Sequence, residues 1–142
     1  GGSSGRQAAS YGGMVVNATG GGAGGYSRKR IPITAGDTFT VVVGAGGQSN
    51  PSTLMPDVGT ESDGAAGGET TFAHASATAN IALDSNGGSA GVGNQTSTAS
   101  GATYAGGAGG TATGGDVNFT GGRGGTITRN NNALEKVLMV GI

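Results

Sequence analysis

The chain has 142 residues, of which 34 are glycine and none is cysteine, and its formal net charge is −1. The missing cysteines exclude disulfides, thiolate catalysis and zinc–sulfur sites. A near-neutral balance argues against nucleic acid as the main partner, because phosphate binding needs a concentrated positive field. Leu, Ile, Val and Phe together number 22, too few for a large oily core. Such a chain must be held by backbone hydrogen bonds and by the close contacts that glycine allows.

In chain order, residues 1–19 read as an N-terminal segment. Gly1-Gly2-Ser3-Ser4-Gly5 has the composition of a linker, and Met14-Val15-Val16 is a short strand candidate. Residues 20–129 form the glycine-rich module. Within it, Ser27 to Thr34 alternates at its end, Ala35-Gly36-Asp37 is a turn, and Thr38 to Val43 is rich in β-branched residues, so 27–43 is predicted to be a β-hairpin. Pro32 makes the first of these an edge strand or bends it. Gly44 to Gly68 reads as loop. Strands are expected at 69–75, more weakly at 80–84, and again at 116–120 and 126–128. An Asn run opens the last segment, 130–142, which contains Leu134, Val137, Leu138, Met139, Val140 and Ile142. A short helix or a strand both fit this ending.

The glycines carry a beat of their own. G-G-x-G-G occurs at 21–25, 106–110 and 121–125, and the last two copies begin 15 residues apart. That is a whole number of turns for a polyproline-II helix, which has three residues per turn and no internal hydrogen bonds. A glycine at every third position removes one edge of side chains, so neighbouring backbones can bond to each other. The predicted fold is therefore all-β and glycine-rich, with short antiparallel strands and polyproline-II-like runs in a layered module.

The order of the pieces resembles the glycine-rich domain of bacteriophage tail-fibre and tail-tip proteins. The matching residues are Gly21 to Tyr26, Ile31 to Thr34, Gly36-Asp37-Thr38, Val41 to Gly47, Gly67 to Phe72, and Gly106 to Gly125 including Gly114-Gly115-Asp116-Val117-Asn118. The resemblance spans about 20–125 and omits the Asn run and the apolar ending. It implies a non-enzymatic structural or adhesive module on a virion surface that aids attachment to the host. Its implied partners are copies of itself or other fibre subunits, and a host surface glycan or outer-membrane protein. The alternative is a self-assembling subunit of an extracellular or virion-associated filament.

Chemistry is sparse. Gly44-Ala45-Gly46-Gly47 lacks the G-K-[ST] ending and the following helix that a phosphate cradle needs. Asp57, Glu61 and Asp63 do not have the alternating spacing of a calcium loop and read as solvated acids. His74 is the single histidine and reads as a packed or strand-surface residue. There is no G-x-S-x-G element, and the N-x-T sequons at 17–19, 94–96 and 118–120 are what a chain rich in Asn and Thr produces by chance. No catalytic residue, cofactor or metal is expected. No apolar stretch reaches the roughly 18 residues of a membrane span, and no signal peptide is recognisable, so membrane insertion is not expected.

Recognition residues are easier to nominate. Arg28, Lys29 and Arg30 beside Tyr26 suit an anionic partner with a stacking face, or else simply protect a strand edge with charge. Tyr11, Tyr26 and Tyr104 stand next to small residues, where a ring can lie on a sugar or close over a glycine block. Leu134, Val137, Leu138, Val140 and Ile142 are nominated as inter-subunit contacts, with return to the chain's own core as the other reading.

Overall fold

The computed structural model describes residues 1–4, 18–48, 63–75, 80–93 and 101–128. The described residues are all-β and contain no helix. Eight short strands form three antiparallel sheets. In chain order they are β1 (Tyr26–Arg28), β2 (Thr38–Val42), β3 (Thr70–Ala75), β4 (Asn80–Ser85), β5 (Thr103–Tyr104), β6 (Ala112–Thr113), β7 (Val117–Phe119) and β8 (Ile127–Thr128). The four-stranded sheet has the order β2-β3-β4-β6, while β1 pairs with β7 and β5 with β8.

Glycine runs lie between these strands and bond to each other with a period of three. Thr19, Gly22 and Gly25 donate to the carbonyls of Val92, Ser89 and Asn86 at 3.0, 2.9 and 2.9 Å. Gly20 and Ala23 donate instead to Gly125 and Gly122, at 3.3 and 2.9 Å. The remaining column faces a third neighbour, since a methyl on Gly21 would strike the carbonyls of Gly2 and Ser3. One run thus presents three edges to three different runs, with a period of three residues. A β-strand has only two hydrogen-bonding edges.

The same beat recurs throughout. Asn86 and Ser89 donate to Thr111 and Ala108, Gly64 and Gly67 to Gly91 and Gly88, and Ala65 and Gly68 to Gln48 and Ala45. The two blocks in 15-residue register meet directly, with Gly121 bonding Gly110 at 2.9 Å and Gly124 bonding Gly107 at 2.8 Å. Among the described glycines only Gly36, Gly101 and Gly114 have positive φ. The runs therefore use glycine for close approach rather than for a left-handed backbone.

Side chains contribute little to this interior. The buried described residues are glycines except for Thr19 and His74, and no large side chain among them is fully buried. In place of an oily core stands a lattice of N–H···O=C bonds, each satisfying groups that would be costly to bury unpaired.

Two expectations are corrected. Gly1 to Ser3 is not a linker but a run of the stack: Gly2 donates to Gly22, Ser3 to Ala65, and Gly1 and Ser3 accept from Gly47 and Gly91. The hairpin over 27–43 does not form. β1 stops at Arg28 and pairs with β7, while β2 pairs with β3 in the register Thr38↔Ala75 to Val42↔Thr71. Pro32 has no N–H for a ladder and restricts the residue before it, so 29–34 lies outside any strand. The turn itself is present: Asp37 N–H donates to Thr34 C=O at 3.1 Å, and Gly36 has φ 97°. The strand candidate 14–16 and the segment 130–142 fall outside the described residues.

Candidate recognition surface

β1 and β7 are joined in the register Tyr26↔Phe119, Ser27↔Asn118 and Arg28↔Val117. Alternation along a strand sends Tyr26 and Arg28 to one face and Ser27 to the other. Ser27 is half-buried, and its hydroxyl donates to Asn118 Oδ1 at 2.8 Å and to Thr113 C=O at 3.2 Å. Asn118 also ties down the bend before β7, accepting from Gly115 N–H at 3.1 Å and donating to Gly115 C=O at 2.9 Å. These bonds fix the ladder from behind.

In front, two aromatic rings stand in solvent. Tyr26 is 53% exposed and Phe119 62%, with ring centroids 6.3 Å apart and planes inclined by 31°. Aromatic surface is rarely left open in pairs without a partner to meet. At Tyr26 lies a groove of about 320 Å³, lined by glycines of several runs together with Tyr26, Ser27, Thr70, Ser85 and Asn86. Ala45 and the glycine methylenes add apolar surface to these hydroxyl, amide and peptide groups.

The basic cluster divides. Lys29 Nζ lies 3.4 Å from Asp116 Oδ1 and 3.3 Å from Gly114 C=O, so it holds the β1 end against the bend preceding β7. Arg28 and Arg30 are exposed, and Arg30 contributes its backbone N–H to Asp116 Oδ2 at 3.2 Å. The Arg30 amide, followed by Lys29 and Arg28, holds the Asp116 carboxyl below the ordinary aspartate value of 3.8, against an opposing effect of burial. Asp37 is lowered in the same way, first by the Thr34 N–H and then by His74.

Both groups have folded pKa values below their unfolded ones. Their contribution is present above the unfolded value and is lost as pH falls through the lowered one. These two groups are therefore expected to lower the melting temperature as pH falls below about 4. Asp116→Asn should flatten that acid limb, as read by thermal melts across a pH series. An unaltered limb in both Asp116→Asn and Asp37→Asn would refute the assignment.

Of the other nominated residues, only Tyr104 is among those described. Tyr104 is on β5, half-buried, with its hydroxyl enclosed and without a hydrogen-bond partner among the described residues. Tyr11 and Leu134, Val137, Leu138, Val140 and Ile142 are outside the described residues. Asp63 is not a free loop acid, because its Oδ1 accepts from Gly93 N–H at 2.7 Å. Asp57 and Glu61 are outside the described residues, and no cluster of three potential metal ligands occurs among those described.

His74 is packed, 3% exposed on β3 and stacked on Phe39 at 4.8 Å. Its Nε2 lies 3.0 Å from Asp37 Oδ2, although neither ring nitrogen is aligned for a hydrogen bond. Phe119 is the surface residue that the sequence reading missed. Only its pairing with Tyr26 singles it out, and that pairing joins positions 93 residues apart.

A family profile described as a glycine-rich domain matches residues 1–138. The chain belongs to this family. No curated protein and no solved structure matches the chain. The glycine-rich domain so defined contains every run and strand described above, including Gly1 to Ser3.

Proposed function

We propose that this glycine-rich domain is a non-enzymatic adhesive module of a phage tail fibre or tail tip, and that it aids attachment by binding sugar at the host surface. The observation that supports it best is the exposed Tyr26–Phe119 pair with the groove at Tyr26. Sugar rings offer apolar C–H faces to aromatic rings and hydroxyls to polar ones, and the two kinds of group are adjacent here. Arg28, on the same strand face as Tyr26, suits an acidic sugar or a phosphate substituent. The order of motifs between 20 and 125 supports the virion setting.

The stack serves this function by being rigid. Its backbone is ordered by folding, so little freedom remains to be lost on binding. The single histidine, buried against Phe39 and with no nucleophile bonded to it among the described residues, supports the non-enzymatic reading.

The test is binding to an array of bacterial surface polysaccharides and lipopolysaccharides, followed by titration of the best ligand. Tyr26→Ala and Phe119→Ala are each expected to weaken binding about tenfold or more, which is about 1.4 kcal/mol. Their melting temperatures should stay near that of the wild type, because both rings stand in solvent. Absence of binding to any surface glycan, or binding indifferent to both substitutions, would sink the proposal.

A further inference from the structure

β2 is an edge strand. Among the described residues it pairs on one side only, with β3, and all five of its residues, Thr38-Phe39-Thr40-Val41-Val42, are exposed. An open edge is a template for another strand, and proteins commonly blunt it with lysine, proline, a bulge or an inward charge. β2 has no charged residue and no proline, and its five residues pair with β3 one to one without a bulge. Val41 and Val42, on opposite faces, are 60% and 54% exposed. The nearest charge, Asp37, is turned inward to the Thr34 N–H at 2.8 Å and to His74.

The strand is also complementary to itself. Laid antiparallel about a two-fold axis at Thr40, it sets Phe39 opposite Val41 and Thr38 opposite Val42, with Thr40 meeting its own copy. Aromatic against β-branched is a favourable cross-strand pair, and no like charges face each other. Phe39 and Val41 share a sheet face with Phe72 and His74, since their β3 partners are His74 and Phe72 respectively. The pairing would therefore run the apolar rows of two copies into one eight-stranded sheet.

We propose that the β2 edge is an interaction surface for a second copy of this chain, joined antiparallel about Thr40 in a closed two-fold dimer. Such a contact is isologous and consumes both edges, so it ends at two copies and does not propagate. The site is separate from the Tyr26–Phe119 surface and does not depend on sugar binding. Five strand residues a side make a small interface, so association in the micromolar range is expected.

Sedimentation velocity across a dilution series tests it. Wild type should pass from monomer to dimer with rising concentration. Thr40→Lys and Thr40→Glu each place like charges at the axis, and each should weaken association at least about tenfold. An equimolar mixture of the two variants should recover a dimer, because opposite charges then meet. Thr40 is exposed, so both variants are expected to melt like the wild type, and circular dichroism checks this. Four results would each overturn the proposal: a wild type that stays monomeric to about 1 mM, open-ended polymers, variants that dimerise as the wild type does, or a mixture that fails to recover. So would loss of dimer on removing residues 133–142 from a chain with β2 intact, since that would assign the contact to the apolar ending.

Discussion

Gly107→Ala is expected to cost about 3 kcal/mol and to lower the melting temperature on the order of 10 °C. Gly107 is buried in the middle of the stack. It donates to Gly20 C=O at 2.9 Å and accepts from Gly124 N–H at 2.8 Å. A methyl there would overlap the carbonyl oxygens of Ser89 and Ala90 and stand 2.8 Å from Gly22 N, so atoms of two separate runs obstruct it. None of these is a side chain that can swing aside, and moving any one breaks bonds on its far side. Gly122→Ala is the control. It lies in another run, has nothing within 4 Å of the added carbon, and its φ is not positive. Alanine there should be neutral or stabilise by about 0.4–1 kcal/mol, through a less flexible unfolded chain. Thermal or urea melts of the pair decide the matter, and equal effects at the two positions would contradict the packing described.

Thr19→Val should cost about 1–3 kcal/mol. Thr19 is 3% exposed. Its hydroxyl accepts from Val92 N–H at 2.7 Å while its own N–H donates to Val92 C=O at 3.0 Å. Valine keeps the shape and removes the acceptor, leaving the Val92 N–H without its partner. Thr19→Ser keeps the oxygen and should lose less than about 1 kcal/mol, mostly from the missing methyl. If the two substitutions prove equally harmful in chemical denaturation, the hydroxyl is not what matters at this position.

Both predictions turn on positions that local sequence pattern ranks as ordinary. Thr19 sits in what reads as an N-terminal segment, and Gly107 and Gly122 occupy the same slot, the second, of two G-G-x-G-G blocks. What separates them is which column of a threefold run points at another backbone and which at solvent. The beat of three can be read from the chain, but the phase of each run against its neighbours cannot. That phase depends on the register between segments as distant as 19–25 and 121–125.

The recognition surface divides in the same way. Tyr26 and Arg28 could be nominated locally, from an aromatic beside glycine and the basic cluster that follows it. Phe119 could not, because its place beside Tyr26 depends on β1 choosing β7 across almost the whole chain. The predicted hairpin over 27–43 failed for a related reason. Alternation marks a segment as a strand without saying which edge it meets, and Pro32 removed the donor that a local partner would have needed.

By itself, then, the sequence determined the kind of interior this protein has. With so many glycines, few large aliphatics and no cysteine, only backbone packed against backbone could fill it, and the three-residue spacing of the blocks dictated how. The tertiary structure alone decided which runs are neighbours, that Gly1 to Ser3 belongs among them, that Tyr26 and Phe119 stand together, and that among the described residues β2 pairs on one side only. Those outcomes rest on pairings between distant segments, and hydrogen bonds between identical peptide groups carry no residue code from which such pairings could be read.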